Sequence, residues 1–245
     1  MKIFFASESI ESIRQNEEKV GAKLSNINGF RKKLTYLLED GKNFVFICNE
    51  SQFVEHNEIS ARFIFDALND SGLNFENYTV LDNANKDKAE EILQNADFVY
   101  LQGGTIFVQN QFLKEINFNQ IMQNSNAVVM GKSAGAMNLQ NQVYVYPETD
   151  EEVDNPKWVD GLGYSKYTII PHFNLGTGNE YCFGNFNLLK DYFLPDSMGN
   201  KFYALPNGSY IYYENNTYTL YGLAYTIENG EVVKINDNNK SVILN

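Results

Sequence analysis

The sequence predicts an α/β protein with a mostly parallel central sheet flanked by helices and with antiparallel hairpins toward its C-terminus. Two observations carry this prediction. In the first two thirds of the chain, continuous apolar runs of strand length alternate with segments of helical spacing, as in parallel strands buried on both faces. In the last third, tyrosine-rich segments are punctuated by Asn-Gly and Asn-Asn pairs, which favour hairpin turns.

The apolar runs and the helical segments alternate in chain order. The predicted strands are residues 3–6, 44–48, 78–81, 98–101 and 127–130. The predicted helices between them are residues 57–69, 86–94 and 106–116, and residues 9–39 are predicted to be helical in part, with a break near residues 26–29. The pattern is clearest in the first of these helices, where Ile59, Phe63 and Ile64 recur at helical spacing.

The last third of the chain continues with shorter elements. Strands are predicted at residues 143–146 and 167–170, a helix at residues 185–193, and turns at residues 206–208, 215–216 and 228–230. No linker or low-complexity tract separates the two parts. We therefore expect one domain over residues 1–245, in which residues 199–245 form an antiparallel extension.

Composition excludes several classes of function. The 245 residues are 43% hydrophobic, enough for a sizeable core, and the formal net charge of −12 disfavours binding to nucleic acid. No apolar stretch approaches the roughly 20 residues of a membrane span, and the apolar N-terminal run is too short for a signal peptide, so a cytoplasmic protein is expected. Cys48 and Cys182 lack the spacing of metal or redox sites.

A Gly-x-Ser-x-Gly pattern, Gly131-Lys132-Ser133-Ala134-Gly135, is the most informative motif. It follows the apolar run 127–130 and precedes a segment that can start a helix. A strand, this turn and a helix form the nucleophile elbow of serine hydrolases, which lifts the serine hydroxyl clear of the sheet. The alternative is a glycine-rich turn with an idle serine, since the bare pattern is short.

A serine nucleophile needs a base, and the chain has two histidines. His56 lies among polar residues at a predicted helix start, where a solvated surface histidine is expected. His172 follows the predicted strand 167–170 and Pro171, at the strand exit where α/β proteins place their chemistry. A structural histidine is the alternative at this position, but if a histidine activates Ser133, it is predicted to be His172.

The remaining members of the predicted site are less specific. Acidic residues lie between Ser133 and His172, and composition does not choose among them: Glu148, Asp150, Glu151, Glu152 and Asp154. An oxyanion hole needs backbone donors, which the amides of Ala134, Gly103 and Gly104 could supply. For the two glycines, an ordinary strand-to-helix turn is the alternative.

Together, Gly103-Gly104-Thr105, the Ser133 motif and Pro171-His172-Phe173 resemble peptidase family S51, which includes dipeptidase E and cyanophycinase. The resemblance spans most of the chain. It implies a three-layer, flavodoxin-like fold similar to the class I glutamine amidotransferases, with Ser133 as nucleophile and His172 as base. For the third member, counting along the family pattern favours Asp150 from one side and Glu148 or Glu151 from the other, and Asp150 is chosen.

The chain departs from the family pattern in two places. The glycine loop lacks the asparagine that usually follows the two glycines, since Gly104 is followed by Thr105. Aspartyl dipeptidases bind the acidic side chain with an arginine downstream of the histidine, but no arginine follows Arg62 here. Lys132 could supply a cation instead, or could face water. An aspartyl preference is therefore not expected.

The sequence thus predicts a serine-type peptidase or amidase, of exopeptidase or dipeptidase type, that hydrolyses a small peptide or amide through an acyl-enzyme. No cofactor, metal, nucleic acid or membrane is expected to take part, and a homodimer through the tyrosine-rich hairpins stays open. A catalytically inactive S51-like binding or scaffold protein is the main alternative. An α/β-hydrolase esterase is disfavoured because no histidine follows His172, and glutamine amidotransfer because the motif holds a serine.

Overall fold

The five apolar runs of the first part of the chain form the parallel strands of the main sheet, as predicted. The structure is a computed structural model, and it describes residues 1–15, 18–147, 149, 152–175, 182–183 and 186–245. Its strands, in chain order, are Lys2–Ala6 (β1), Ile10–Gln15 (β2), Glu18–Leu24 (β3), Asn43–Ile47 (β4), Asn77–Leu81 (β5), Phe98–Leu101 (β6), Val128–Lys132 (β7), Gln142–Tyr144 (β8), Trp158–Asp160 (β9), Thr168–Ile170 (β10), Cys182–Phe183 (β11), Phe186–Asn187 (β12), Lys201–Ala204 (β13), Tyr210–Glu214 (β14), Thr217–Tyr221 (β15), Ala224–Glu228 (β16), Glu231–Asn236 (β17) and Ser241–Leu244 (β18).

The helices are short except for one. They are Phe30–Leu37 (α1), Val54–Asp70 (α2), Ala89–Gln94 (α3), Ile106–Glu115 (α4), Phe118–Met122 (α5), Ala134–Asn138 (α6) and Leu194–Asp196 (α7). Short 3-10 turns at Ile27–Gly29 and Lys86–Lys88 precede α1 and α3, and a π-helical turn at Leu189–Phe193 runs into α7. Within the described residues, none of the helices is both long and apolar enough to cross a bilayer.

The main sheet has eight strands in the order β18-β15-β14-β1-β7-β6-β4-β5. The strands β1, β7, β6, β4 and β5 run parallel, and β14, β15 and β18 extend the sheet with antiparallel pairs. The strand β1 lies where the two halves meet, so that Phe4 is opposite Met130 of β7 on one side and Tyr212 of β14 on the other.

Both faces of the main sheet are covered, which confirms the predicted three layers. Phe4 and Ala6 of β1 face a core built with α1 and α2, whereas Ile3 and Phe5 face a core built with α3, α4 and α5. The second face is also covered by a four-stranded sheet of order β10-β13-β16-β17, from which Ile169 packs against the same core. Continuous apolar runs are needed in the parallel strands because neither face meets water.

Residues 9–39 are helical in part, as predicted, but the part before the break forms a hairpin, which the sequence pattern did not predict. The strands β2 and β3 pair in antiparallel register, and helix begins only at α1, after the predicted break. In β3, Ala22 and Leu24 are buried and Lys23 between them is exposed, which is the period of a strand. The helix predicted for part of this region is therefore confined to the residues after the break.

The C-terminal hairpin turns are confirmed at two of three places. The pairs Asn215-Asn216 and Asn229-Gly230 have positive φ angles and close the hairpins β14–β15 and β16–β17. Residues 206–208 were expected to close a hairpin as well, but they connect β13 of the second sheet to β14 of the main sheet. Residues 199–245 thus supply strands to both sheets, and their assignment to a single domain stays a prediction.

Replacing Phe98 with alanine should destabilise the protein strongly. The Phe98 ring is fully buried in β6 and stacks on Phe44 and Phe75 with centroid separations of 5.6 Å and 5.9 Å. The cavity should lower the free energy of unfolding by about 3–5 kcal/mol, measured by urea denaturation. The matched control is Tyr36→Ala, because Tyr36 is 78% exposed and its loss should change that energy by less than about 0.5 kcal/mol. Equal effects of the two changes would contradict the packing described here.

Candidate active site

Ser133 lies at the carboxyl edge of the parallel strands, directly after β7. The neighbouring strands end beside it: Ser7 follows β1, and Gln102 and Gly103 follow β6. Loops at this edge are where open α/β sheets carry binding and catalytic groups. A separate open cavity of about 1350 Å³ lies at the opposite edge, where Lys2 and Val128 begin β1 and β7, and it holds none of the predicted site residues.

The backbone of Ser133 is strained, with φ 52° and ψ −119°. Two close approaches hold it, and both require glycine. A Cβ atom on Gly135 would lie 2.4 Å from the carbonyl oxygen of Leu101, and one on Gly131 would lie 2.5 Å from the amide nitrogen of Ala136. The Ser133 amide donates to the carbonyl oxygen of Ala6 at 2.9 Å, which ties the turn to β1. Because these two positions are glycine, the chain can turn sharply out of the sheet at Ser133.

The imidazole of His172 contacts two side chains that define its tautomer. Its Nε2 lies 2.8 Å from Ser133 Oγ, and its Nδ1 lies 2.8 Å from Asn207 Oδ1. An amide oxygen only accepts hydrogen bonds, so Nδ1 carries the proton. In this tautomer Nε2 is unprotonated, and it accepts the hydrogen bond of the Ser133 hydroxyl.

The backbone around His172 is also held in an unusual conformation, with φ 57°. Its amide donates to Ser7 Oγ at 2.7 Å, and the next amide, of Phe173, donates to the carbonyl oxygen of Leu205 at 3.0 Å. A non-glycine residue at positive φ needs such fixation, because the conformation costs free energy. Ser7 follows β1 of the main sheet, and Leu205 follows β13 of the second sheet. The backbone that carries the His172 ring is therefore fixed by residues at the ends of two strands in different sheets.

The glycine loop after β6 lies against the serine. A Cβ atom on Gly103 would approach Ser133 Cβ to 2.9 Å, and Gly104 has φ 137° with the side chain of Asn49 against it. The amide of Ala134, the residue after the serine, lies at the start of α6. Gly103 and Ala134 thus lie next to Ser133, and Gly104 follows Gly103 in the same loop. The role of the three amides as oxyanion donors stays a prediction.

Two buried side-chain amides, Gln109 and Asn138, form a hydrogen-bonded pair that supports this loop and is called the amide ladder here. Gln109 Nε2 donates to the carbonyl oxygens of Cys48 and Gln102 at 3.2 Å and 2.8 Å, and Asn138 Nδ2 donates to Gln109 Oε1 at 3.1 Å. Gln109 and Asn138 are both fully buried. The ladder therefore joins the end of β4, the glycine loop and α6 into one rigid support.

Lys132, beside the serine, forms an ion pair. Its Nζ lies 2.9 Å from Glu8 Oε2, and the other carboxylate oxygen of Glu8 accepts from the amides of Ser9 and Ile10 at 2.9 Å and 3.0 Å. The positive charge next to the site is therefore balanced by a fixed carboxylate. This answers the question left open by the sequence, since Lys132 is neither an isolated cation nor an unpaired surface residue.

The other candidates of the sequence lie elsewhere or outside the described residues. Asp150, Glu148 and Glu151 belong to the residues that the structure does not describe, so the choice of Asp150 stays a prediction. His56 is exposed on α2. Burial, with a smaller contribution from Asp82, raises the pKa of the Cys48 thiol to about 12, so this cysteine stays protonated in the core.

Sequence reasoning missed two residues of the site, Ser7 and Asn207. Asn207 lies in the predicted turn 206–208, but this turn connects two sheets and brings the Asn207 side chain to His172. Ser7 directly follows the predicted strand 3–6 and was not predicted to belong to the site. A polar residue directly after a parallel strand was the available signal for Ser7, whereas nothing in the local sequence pointed from Asn207 to His172.

No curated protein matches the chain. Among solved structures, the chain is similar to a peptidase from an acI-B1 Actinobacterium, with 14% identity, a TM-score of 0.66 and coverage of 99% of this chain and 96% of that one. It is also similar to a protein from Listeria monocytogenes EGD-e described as a "Putative Peptidase E Protein", with 18% identity, a TM-score of 0.50 and coverage of 96% and 97%. At these identities the likeness concerns the fold.

A family model extends the likeness to the sequence. The model of peptidase family S51 matches residues 21–221, which include the serine motif, Pro171-His172-Phe173 and Asn207. The match covers most of the chain and agrees with the resemblance drawn from the motifs. The chain therefore belongs to peptidase family S51.

Proposed function

We propose that this protein is a serine peptidase or amidase that hydrolyses a small peptide or amide through an acyl-enzyme. One observation carries the proposal: His172 contacts Ser133 Oγ and Asn207 Oδ1 at 2.8 Å each, in the tautomer that a general base requires. The strained turn at Ser133, placed between two close glycine contacts, supports its role as a nucleophile elbow.

In the acylation step, Ser133 Oγ attacks the carbonyl carbon of the substrate while its proton passes to His172 Nε2. The carbonyl oxygen becomes an oxyanion, for which the amides of Ala134 and of Gly103 or Gly104 are the proposed donors. Collapse of the tetrahedral intermediate breaks the C–N bond, and His172 returns the proton to the leaving amine. A water molecule then repeats the sequence on the ester, with His172 as base, and releases the acid and free Ser133.

Asn207 is the proposed orienting group of His172. Its oxygen holds the ring and the tautomer as an acidic residue would, but a neutral amide adds no charge to stabilise the imidazolium that forms during attack. Asp150, with Glu148 and Glu151 as alternatives, remains proposed as an acid near the site from the sequence. The described geometry supports Asn207 for the contact at Nδ1.

The charge around Ser133 bears on the substrate class. The Lys132 charge is balanced by Glu8 at 2.9 Å, and no arginine follows Arg62 in the sequence. An acidic substrate side chain would have to compete with the Glu8 carboxylate for the lysine. We therefore propose peptides without a requirement for an acidic residue, and dipeptides and N-blocked peptides are the first substrates to test.

A non-catalytic S51-like binding protein is the second candidate. The observation that favours it is the neutral Asn207, since an uncharged partner stabilises the imidazolium less than a carboxylate does. The two candidates differ in one measurable property, which is the reactivity of Ser133.

Replacing Ser133 with alanine should abolish both labelling by a fluorophosphonate probe and turnover of a panel of dipeptides and N-blocked dipeptides. Removal of the nucleophile should lower kcat/KM by at least about 10³-fold. Circular dichroism should show an unchanged fold, because the change removes one partly exposed oxygen atom. If the wild-type protein takes no label and turns over no member of the panel, the peptidase proposal is wrong and the non-catalytic binding protein is favoured.

Changes at Asn207 should separate orientation from charge. Asn207→Leu removes the acceptor at Nδ1 and should lower kcat by about 10²-fold or more, because the tautomer is no longer held. Asn207→Asp keeps an acceptor and adds a charge, so activity should be retained or increased. Because a carboxylate favours the protonated, inactive imidazole, the acid limb of the pH–rate profile should move to higher pH. An unchanged profile in Asn207→Asp would show that the side chain at this position does not act on His172.

A further inference from the structure

The hydroxyl of Ser7 lies between the backbone amide of His172 and the Asn207 side chain that contacts the His172 ring. Ser7 is completely buried at the exit of β1. Its Oγ accepts the His172 amide at 2.7 Å and donates to Asn207 Oδ1 at 3.4 Å. One buried hydroxyl thus contacts both the backbone of the base and the side chain that orients its ring.

A neutral orienting group creates a problem that a carboxylate does not have. An amide has two different ends, and only the oxygen can accept the proton on His172 Nδ1. If the Asn207 amide were turned over, its NH₂ group would donate to Nδ1 and the ring proton would move to Nε2. Nε2 could then no longer accept the proton of Ser133, and the base would be lost.

We propose that Ser7 is a positioning residue that selects the orientation of the Asn207 amide and, through it, the tautomer of His172. The proposal rests on the proposed function, in which His172 is the base for Ser133. In the observed orientation, the Ser7 oxygen accepts from the His172 amide and its proton is donated to Asn207 Oδ1. In the reverse orientation, two donors would face the Ser7 oxygen and its own buried proton would lose its acceptor, an arrangement that proteins avoid.

The position of the Ser7 hydroxyl is itself fixed against the rest of the site. The Ser7 amide donates to the carbonyl oxygen of Ser209 at 3.2 Å, and the Gly208 amide donates to the carbonyl oxygen of Glu8 at 2.9 Å. These bonds clamp the segment after β1 to the segment that carries Asn207. The Ser7 oxygen therefore keeps its position when the side-chain amide of Asn207 is rotated by 180°.

The chain offers a matched control for Ser7. Ser9 is also buried, with 2% of its surface exposed, and its Oγ has no hydrogen-bond partner in the described part of the chain. Ser9→Ala thus removes a buried hydroxyl two residues away without removing a contact to the site. It should leave the reactivity of Ser133 within about twofold of wild type.

The test is a double-mutant cycle between Ser7→Ala and Asn207→Asp. The readouts are the rate of inactivation by a fluorophosphonate and the rate of p-nitrophenyl acetate hydrolysis. Ser7→Ala should slow both about tenfold or more when residue 207 is asparagine. It should slow them less than about threefold in the Asn207→Asp variant, because the two oxygens of a carboxylate are equivalent. Equal losses in both backgrounds, or no loss in either, would overturn the proposal.

A second measurement does not depend on turnover. Because the chain has two histidines, ¹⁵N labelling of histidine gives signals from two rings, and exposed His56 serves as the internal reference. Wild type should show His172 protonated at Nδ1, and Ser7→Ala should shift part of the population to the Nε2-protonated form. An unchanged tautomer in Ser7→Ala would overturn the role of Ser7. If wild type takes no fluorophosphonate label, the proposed function fails while this measurement still tests Ser7.

Discussion

The candidate site depends on the rigid exit of one strand, β1. The end of the strand and the two residues after it bond to three segments of the site: Ala6 accepts the Ser133 amide, Ser7 accepts the His172 amide, and Glu8 accepts the amide of Gly208, next to Asn207. The strand lies between the parallel and the antiparallel halves of the sheet, where its side chains from Ile3 to Ser7 are almost fully buried. A buried strand with neighbours on both sides has little freedom to move. The segments of Ser133, His172 and Asn207, which are distant in sequence, are therefore held in position by bonds to the same rigid strand end.

Among the residues that the structure describes, the candidate site is built mainly from neutral hydrogen-bonding groups. Asn207 contacts the ring of His172, and the amide ladder of Gln109 and Asn138 supports the glycine loop. The charged groups beside the serine, Lys132 and Glu8, neutralise each other. Neutral amides can be buried at lower cost than charges, provided that each donor and acceptor is matched. The orientation of every amide then matters, since its two ends are chemically different.

Local patterns predicted the elements that depend on local physics. The continuous apolar runs identified the parallel strands, and Gly131 and Gly135 identified the sharp turn at Ser133, because close backbone contacts there exclude a Cβ atom. The same kind of reasoning was incomplete for residues 9–39, where it predicted helix in part, as in α1, but did not identify the hairpin of β2 and β3. It also failed at residues 206–208, whose turn chemistry suits a hairpin but which pass from one sheet to another. Turn residues specify a local bend and not the partner of the next strand.

The sequence by itself determined the fold class, the family resemblance and the pair Ser133 and His172, because a strained turn and a small number of histidines leave few alternatives. It could not determine what holds the ring of His172. Asn207 is 35 positions beyond His172, and Ser7 is 165 positions before it. Only the pairing of β14 with β1, and of β10 with β13, brings these three residues to one edge. Strand order is set by the packing of the whole chain, so the contacts that hold the ring and backbone of His172 were decided by the tertiary structure.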